Sequence, residues 1–365
     1  MATNLCPQTH VLVSRRHASA PKYSQPLKAT ATNFCAEPNR IARVWMRGLL
    51  AFMLLVNGAF GDEPVGLETK DHTGSISSSA DDMSPVGIIG TPYKSTLDAK
   101  APDGGDLVYT LIKNPKNMTI AEGHIAWIPN ADQEGDHTVS VSVSDGKTTK
   151  TLSWKITVRP WAPGDDLYDS RDGQSYKTVV IGSQCWTAEN LKYVPPDAPS
   201  WCYDDDESWG AIYGRLYDFK TITADHHENG KDIAPPGWHV PTDEEWIILE
   251  KYLITNGANW DGTKSGNKIA KSLAAQSGWN PSIPNGSVGI QMPSNNSSGF
   301  SALPGGNRYF YGGVTYNKGY LGYWWSSTKA DGKFALIREL RYDHVNLNRR
   351  TIHKDAALSV RLVRD

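Results

Sequence analysis

The fold is decided by residues 236–253, with the sequence PGWHVPTDEEWIILEKYL, because this stretch holds the clearest helix signal in the chain. Thr242 is a favourable N-cap residue and Glu245 follows three positions later, so the two predict a capping box. Acidic residues in the first turn favour the positive end of the helix dipole. Trp246 and Leu249 fall on one face of the helix. The stretch therefore predicts an amphipathic helix that is entered from a Gly- and Pro-containing turn.

Short strands and Gly-rich loops surround this helix from Trp161 to the C-terminus. The pattern indicates a strand at 176–182, a second and shorter helix at 264–275, and strands at 324–328 and 358–363. The same part of the chain holds 10 of the 13 Trp and 13 of the 16 Tyr residues. We therefore predict an α+β domain over residues 161–365.

The preceding segment alternates apolar and polar residues with a period of two, which is typical of half-buried strands. The alternation is clearest at 137–143 and 152–158, and Asp145-Gly146 between them suits a tight hairpin because both residues tolerate positive φ. Several short strands separated by turns predict an all-β, Ig-like sandwich over residues 86–160.

An N-terminal export signal is predicted at residues 46–61. An apolar run of eight residues, 49–56, follows basic residues and precedes the small-x-small pattern Ala59-Phe60-Gly61. The run is too short for a membrane-spanning helix, which needs about 20 apolar residues. We therefore expect a secreted or cell-surface protein with no transmembrane span in its mature chain.

The segments on either side of the signal are predicted to lack a core of their own. Residues 1–45 are interpreted as a disordered leader, and both Met1 and Met46 stay open as the start of translation. Residues 62–85 are rich in Gly, Ser, Thr and Asp, which predicts a flexible linker.

The charge distribution argues against a nucleic-acid partner. The whole chain has a formal net charge of −2, but from Asp62 onward it has 30 basic and 38 acidic side chains. An acidic folded part repels phosphate backbones.

Motifs within the all-β segment include Asp103-Gly104-Gly105-Asp106, Ile125-Ala126-Trp127-Ile128-Pro129 and Ser144-Asp145-Gly146. With these motifs the segment resembles the cadherin-like or putative-Ig module of bacterial surface proteins. The resemblance implies a spacer that projects a neighbouring domain.

The C-terminal domain contains a series of ordered sequence blocks. They include Trp186-Thr187-Ala188-Glu189-Asn190-Leu191, Tyr213-Gly214-Arg215-Leu216-Tyr217, Pro236-Gly237-Trp238-His239, Gly299-Phe300-Ser301-Ala302-Leu303-Pro304-Gly305-Gly306, Trp324-Trp325-Ser326-Ser327-Thr328 and Ser359-Val360-Arg361. In these blocks residues 165–365 closely resemble the Fibrobacter succinogenes major paralogous domain of bacterial secreted or surface proteins. The resemblance implies a C-type-lectin-like fold shared with formylglycine-generating enzymes.

The cysteines depart from the pattern of that family. Relatives tend to have a cysteine just before the Pro-x-Gly-Trp-His block and another after Ser-Val-Arg. In this chain the first place is held by Ala234 or Pro235 and the second by Leu362. The predicted mature chain retains Cys185 and Cys202, and export to an oxidising compartment favours a disulfide between them. Two buried free thiols are the alternative that the sequence leaves open.

The sequence favours a non-catalytic protein. Formylglycine-generating enzymes hold copper with a late pair of cysteines, which this chain lacks, so an oxidase of that type ranks third among the functions considered. The chain has neither a Gly-x-Ser-x-Gly nor a His-Glu-x-x-His motif. His226, His227 and Glu228 form a histidine cluster, but adjacent histidines point in different directions, which disfavours zinc.

Aromatic side chains in predicted loops are the candidate ligand-binding residues, because a ring can stack on the apolar face of a sugar while polar neighbours bind its hydroxyls. These candidates are Trp201, Tyr203, Trp209, Tyr309, Tyr311, Tyr316 and Tyr320. Residues of the family blocks are expected to be structural instead. This structural set is Trp186, Glu189, Trp238, His239, Trp246, Trp324, Trp325 and Arg361.

No catalytic residue and no resident cofactor is predicted. The acidic run Asp204, Asp205, Asp206 and Glu207 is a weak calcium candidate, with a solvated acidic loop as the alternative. The favoured function is non-catalytic binding of a plant or microbial polysaccharide. The alternative is a structural or adhesive surface protein that binds a protein partner.

Overall fold

The computed structural model describes residues 75–81, 83–223 and 233–365, which all belong to one compact unit, Lys70–Asp365. The predicted leader, the signal peptide and most of the predicted linker lie outside the described residues, as does the cluster 226–228. Within the described ranges, no helix is long and apolar enough to cross a membrane.

A β-sandwich forms the first part of the described chain. Its strands are β1 (Ser77–Ser78), β2 (Val86–Ile88), β3 (Tyr93–Thr96), β4 (Ala99–Lys100), β5 (Val108–Lys113), β6 (Thr119–Ala121), β7 (His124–Trp127), β8 (Gly135–Ser144) and β9 (Thr149–Arg159). One sheet has the order β2-β9-β8-β5, and the other has the order β3-β7-β6. Strand β2 runs parallel to β9, and the remaining neighbours in these two sheets are antiparallel.

The alternation along β8 builds the core of the sandwich, as its sequence predicts. Three alternating valines from Val139 to Val143 are fully buried, whereas the serines between them are half-buried. The carboxylate of Asp145 accepts hydrogen bonds from the backbone N–H groups two and three positions later, at 2.8 and 2.6 Å, and Gly146 has φ +82°. The predicted β8–β9 hairpin is therefore confirmed.

The sandwich begins earlier than the predicted boundary at residue 86. Strand β1 pairs with β4, and Ile76 and Met83 are buried in the sandwich core at 2% and 7% exposure. Residues 75–81 and 83–85, assigned to the linker on composition, therefore contribute to the folded domain. Composition missed them because two apolar residues in a polar stretch are enough to fill the end of a small core.

The segment between the two domains packs against the C-terminal domain. Arg159 makes a two-pronged ion pair with Asp165, with distances of 2.6 and 2.8 Å. The Trp161 ring meets the Trp238 ring edge-on, with 5.7 Å between centroids. The predicted break after Arg159 is thus a compact junction in which strand pairing ends.

The C-terminal domain is mostly β-structure with few helices, arranged in several small sheets. Its strands are β10 (Leu167–Asp169), β11 (Gln174–Tyr176), β12 (Thr178–Ile181), β13 (Gln184–Thr187), β14 (Trp238–His239), β15 (Asn307–Arg308), β16 (Thr315–Tyr316), β17 (Leu321–Lys329), β18 (Phe334–Arg341), β19 (Asn348–His353) and β20 (Val363–Arg364). The larger sheets have the orders β12-β13-β20-β14 and β17-β18-β19, while β10-β11 and β15-β16 are two-stranded hairpins.

The predicted helix is present and begins as expected. Thr242 and Glu245 form the capping box, and Trp246, Leu249 and Leu253 are buried on one face. The described α-helices are α1 (Glu207–Tyr213), α2 (Phe219–Ile222), α3 (Asp243–Thr255) and α4 (Ala270–Leu273).

The second predicted helix, 264–275, is largely wrong, because only α4 is helical in that range. The side-chain amide of buried Asn259 donates hydrogen bonds to the carbonyls of Thr263, Ser265 and Gly266. Gly266 also has a positive φ of 72°. Carbonyls captured by a side chain do not take part in a helix ladder, so this segment forms a loop instead.

The core of the C-terminal domain is rich in aromatic residues. Trp186 packs on Trp246, with 4.8 Å between ring centroids, and Phe300 packs edge-on against both rings and against Trp324. These rings are between 0% and 1% exposed. The core holds β13, α3 and β17 together, and it leaves the β15–β16 hairpin at the surface.

Candidate functional site

The β15–β16 hairpin carries a group of exposed aromatic side chains. Tyr309, Tyr311 and Tyr316 are 42%, 71% and 49% exposed. Tyr309 lies 5.8 Å from Tyr311 and 6.5 Å from Tyr316 between ring centroids. Phe310 between them stacks on His353 of β19 at 4.4 Å with an 11° angle between rings. The stacked pair fixes the loop, so that the tyrosines form a patch on an anchored support.

The acidic loop lies beside this hairpin and helps to hold it. The hydroxyl of Thr315 donates a short hydrogen bond to Asp204, and Arg308 approaches Asp205 at 3.9 Å. Asp204 and Asp205 both have φ +54°, in the left-handed region that costs a non-glycine residue about 1 kcal/mol or more. Contacts with the hairpin accompany this unusual backbone conformation.

Two cations connect the loop aromatics with the hairpin. The Lys318 ammonium lies 3.2 Å from the centroid of the Trp209 ring and 4.7 Å from that of Tyr203. The Arg308 guanidinium lies 5.0 Å from the Trp201 ring centroid. We call Trp201, Tyr203 and Trp209, together with Tyr309, Tyr311 and Tyr316, the aromatic face. The structure thus brings together two groups that lie about 100 residues apart in the sequence.

Members of the aromatic face differ in how available their rings are. Trp201, Tyr203 and Trp209 are half-buried and lie against a cation, so stacking on a ligand is restricted for them. The three hairpin tyrosines are exposed. Their rings are therefore the better surface for a flat ligand face.

Tyr320, the remaining aromatic candidate, lies in a different setting. Its ring packs edge-on against Tyr342 at 5.3 Å, although 49% of the residue is exposed. Its backbone carbonyl accepts a hydrogen bond from Tyr342 N–H. These contacts place Tyr320 against the chain that follows β18, and we do not include it in the aromatic face.

The four acidic side chains predicted as weak calcium ligands each serve a separate partner. Asp206 caps α1 by accepting a hydrogen bond from Ser208 N–H at 2.8 Å, and Glu207 pairs with Arg215 at 2.9 Å. Hydrogen bonds from the Ser208 side chain and backbone lower the pKa of Asp206, and the hydrogen bond from Arg215 lowers the pKa of Glu207. Among the described residues, no group of three or more His, Cys, Asp or Glu side chains is placed to hold a metal ion. The geometry therefore gives calcium binding at this loop no support.

The predicted disulfide between Cys185 and Cys202 is not present, since both cysteines are buried free thiols. Cys185 lies on β13 in the apolar core, opposite Val180. The Cys202 sulfur instead contacts Glu207 at 3.3 Å and Arg215 at 3.2 Å. The two thiols thus have separate surroundings, which the sequence spacing alone does not show.

The chemistry of Cys202 is that of an unreactive thiol. Burial, together with the hydrogen bond to Glu207, raises the pKa of Cys202 to about 11. The thiol is therefore protonated at neutral pH, and the thiolate is the reactive form of cysteine.

The residues predicted to be structural lie within the domain framework. Trp186, Trp246, Trp324 and Trp325 are at most 1% exposed, and Trp238 is 4% exposed. Glu189 accepts a hydrogen bond from Lys177 N–H and pairs with Lys192.

Two further members of that set tie distant segments together. Arg361 is fully buried, and its guanidinium donates four hydrogen bonds to neutral oxygens of the 187–190 and 300–301 segments. His239 lies between Glu245 and Asp365, with nitrogen–oxygen distances of 2.8 and 2.6 Å. The hydrogen bond to Glu245 is the main cause that raises the pKa of His239 to about 9, and Asp365 adds to it.

Sequence reasoning missed three residues near exposed aromatic surface. Arg308 and Lys318 were not singled out, although cations close to Tyr-rich loops are typical cation–π partners. Trp260 was also missed, and the structure leaves it 44% exposed. The Gly312-Gly313 pair, both with positive φ, is the sequence signal that could have indicated the hairpin turn.

Three solved structures are similar to small parts of the chain. Two structures of an endo-fucoidan hydrolase from glycoside hydrolase family 107 are 19% and 22% identical, cover 22% and 27% of this chain, and have TM-scores of 0.19 and 0.23. A SusE-like surface-located polysaccharide-binding protein from the Bacteroides thetaiotaomicron heparin utilisation locus is 14% identical over 33% of this chain, with a TM-score of 0.19. The matches span only 13%, 16% and 26% of those chains. No curated protein sequence matches.

Family models identify both domains. The putative Ig domain matches residues 75–159, in agreement with the sandwich and its early start. The Fibrobacter succinogenes major domain matches residues 179–364, which is half of the chain. This domain content is that of a surface-type protein. The chain therefore belongs to the Fibrobacter succinogenes major domain family and carries an Ig-type domain before the family domain.

Proposed function

We propose that this protein is a secreted or cell-surface, non-catalytic binding protein whose aromatic face binds a polysaccharide. In this proposal the Ig-type domain is a spacer, and the family domain, with a C-type-lectin-like fold, presents the binding surface. The observation that carries the proposal is the set of exposed tyrosines, Tyr309, Tyr311 and Tyr316, on an anchored hairpin.

The physical argument is the match between the patch and a sugar ring. A tyrosine offers a flat apolar ring and a hydroxyl that donates and accepts hydrogen bonds. Several such rings a few ångströms apart can contact successive units of a glycan chain. Anchoring by the stacked Phe310–His353 pair reduces the ordering that binding would otherwise require.

A glycan array and pull-downs on insoluble polysaccharides, with the full chain, test this function. We expect retention on at least one glycan and loss of retention when Tyr309 and Tyr311 are replaced by Ala together. Tyr252→Ala is the matched control, because Tyr252 is 42% exposed, like Tyr309, but lies on α3. Absence of binding to every glycan would contradict the proposal.

Binding of a protein partner is the second candidate function, and one observation favours it. Val314 and Phe334 are 48% and 38% exposed, and Phe334 contacts His353 beneath the hairpin. Aromatic residues are enriched at protein interfaces, and the buried core of an interface is more apolar than the rest of the protein surface. Competition separates the two candidates, because a soluble oligosaccharide should displace a glycan ligand and leave a protein partner bound.

The non-catalytic part of the proposal rests on the thiols. Oxidase chemistry of the formylglycine-generating type needs a cysteine pair that binds copper. Cys185 and Cys202 are buried in separate surroundings, and Cys202 is protonated at neutral pH. Incubation of the purified protein with Cu(I), O2, a reductant and a cysteine-containing peptide should give no formylglycine aldehyde in the peptide, and formation of that aldehyde above a protein-free control would refute this part.

A further inference from the structure

A second candidate binding site lies in a groove beside α4 that shares no residue with the aromatic face. The groove has a volume of about 420 Å³ and is lined by the 257–260, 285–286 and 290–297 loops together with α4. Trp260, which is 44% exposed, is its one aromatic residue among the described lining residues.

The Trp260 ring is held as a platform on the groove wall. The ring lies against the backbone of Gly286, so closely that a Cβ at that position would stand 2.2 Å from ring atoms. Gly286 also has φ +75°, which glycine adopts without strain. The Trp260 backbone N–H donates a hydrogen bond to the carbonyl of Lys268. The ring is thus fixed in place while a large part of it stays exposed.

The part of the groove formed by α4 is also fixed by hydrogen bonds. The Lys271 ammonium donates hydrogen bonds to the carbonyl of Ile290 at 2.5 Å and to Asn295 Oδ1 at 2.8 Å. The Asn295 amide in turn donates to the carbonyls of Ala275 and Val288, each at 3.1 Å. A groove built in this way needs little reordering when a ligand enters.

The charges in the groove favour a neutral ligand. None of the described lining residues carries a carboxylate. Lys271 is the one cation among them, and its N–H groups are directed to protein oxygens, including the carbonyl of Gln291 at 3.5 Å. The exposed polar side chains that remain are amides and hydroxyls, on Asn285, Gln291, Ser294 and Ser297. The Ser294 hydroxyl donates its hydrogen to the Gln291 carbonyl at 2.8 Å, so its oxygen is left to accept a hydrogen bond from a ligand. Such groups pair with alcohol oxygens rather than with ions.

We propose that this groove binds a neutral glycosyl unit, with the Trp260 ring stacked on the sugar and the side chains of Asn285, Gln291 and Ser294 hydrogen-bonded to its hydroxyl groups. An exposed indole with convergent neutral donors and acceptors is the arrangement that a sugar's apolar face and hydroxyl edge require. The site stands on its own observations and does not depend on ligand binding by the aromatic face.

Fluorine NMR of the full chain, labelled with 5-fluorotryptophan, tests the site directly. The Trp260 resonance is identified as the one that disappears in Trp260→Phe. Cellohexaose, xylohexaose and mannohexaose are the neutral probes, and an oligogalacturonate is the anionic probe. We expect the Trp260 resonance to shift with at least one neutral probe and not with the oligogalacturonate.

Calorimetry with the neutral oligosaccharide that shifts the Trp260 resonance measures how much the Trp260 ring contributes to the affinity. Trp260→Ala should weaken the affinity at least about tenfold. Gly286→Ala should weaken it similarly, because the added methyl group displaces the ring. Tyr252→Ala, the control on α3, should leave the affinity unchanged.

A Trp260 resonance that does not move with any neutral probe would overturn the proposal, and so would a preference for the oligogalacturonate. The double variant at Tyr309 and Tyr311 keeps the two sites distinguishable. If the double variant no longer retains the glycan and its Trp260 resonance does not shift when a neutral probe is added, the aromatic face is the binding site and the groove is not. If the resonance shifts equally in that variant and in the unmodified chain, the groove binds independently.

Discussion

Replacement of Arg361 by Met should strongly destabilise the C-terminal domain. Arg361 is 0% exposed, and its guanidinium donates to Asn190 Oδ1 and to the carbonyls of Thr187, Phe300 and Ser301 at 2.7 to 2.9 Å. Asn190 Oδ1 keeps a second donor, Trp324, but each of the three carbonyls loses its bond to the guanidinium. At about 1 to 3 kcal/mol for each buried group left unsatisfied, and with partial relaxation, we expect a loss of about 3 to 5 kcal/mol.

Thermal unfolding combined with hydrogen exchange measures this loss. A destabilisation of that size lowers the melting temperature of a domain of this length by roughly 6 to 20 °C. Exchange should accelerate in peptides from residues 165–223 and 233–365 and stay unchanged in the Ig-type domain. Arg364→Met is the matched control, because Arg364 is exposed and lies over the Trp161 ring at 4.8 Å, a contact worth about 1 kcal/mol or less. If the melting temperature of Arg361→Met is the same as that of Arg364→Met, the reasoning is refuted.

Three further predictions concern His239, Arg308 and the two cysteines of the C-terminal domain. The pKa of His239 is raised from 6.5 to about 9, so its stabilising contribution is fully present below pH 6.5 and is lost as the pH rises through 9. After screening of a partly exposed side chain is allowed for, about 1 to 2 kcal/mol of unfolding free energy should disappear over that window, measured by denaturant titration and absent in His239→Gln. Arg308→Met removes the 2.8 Å hydrogen bond to the Gly313 carbonyl, so hydrogen exchange at 309–315 should accelerate with little change in melting temperature, and unchanged exchange would contradict the anchoring of the hairpin. For a recombinant chain that begins at Asp62, thiol titration without reductant should detect two thiols after denaturation and almost none before. If no thiol is detected after denaturation without reductant but two are detected after reduction, Cys185 and Cys202 form a disulfide and the free-thiol assignment is wrong.

The regular parts of the fold could be predicted because their signals are local. The capping box at Thr242 and Glu245 and the hairpin at Asp145-Gly146 depend on neighbouring residues, and both are present. The false helix at 264–275 shows the limit of this approach. There a single buried amide, that of Asn259, takes the carbonyls that a helix would use.

The candidate site could be predicted only in part. Loop aromatics were identified as candidates from composition, but which rings stay open depends on partners that are distant in sequence. Lys318 lies against Trp209, and Arg308 lies against Trp201, about 100 residues away. The acidic run likewise looked like a metal-binding loop until the separate partners of Asp206 and Glu207 were visible. Long-range pairing of this kind leaves no periodic signal in a single sequence.

The measurement that tests the central proposal most directly is the affinity of the aromatic face for its glycan. Calorimetry would compare the unmodified chain, the triple replacement of Tyr309, Tyr311 and Tyr316 by Ala, and Tyr252→Ala, on a glycan retained in the pull-down. The proposal predicts a loss of at least about a hundredfold in the triple variant, close to 1 kcal/mol for each ring, and no change in the control. Equal affinity of the triple variant and the unmodified chain would contradict it.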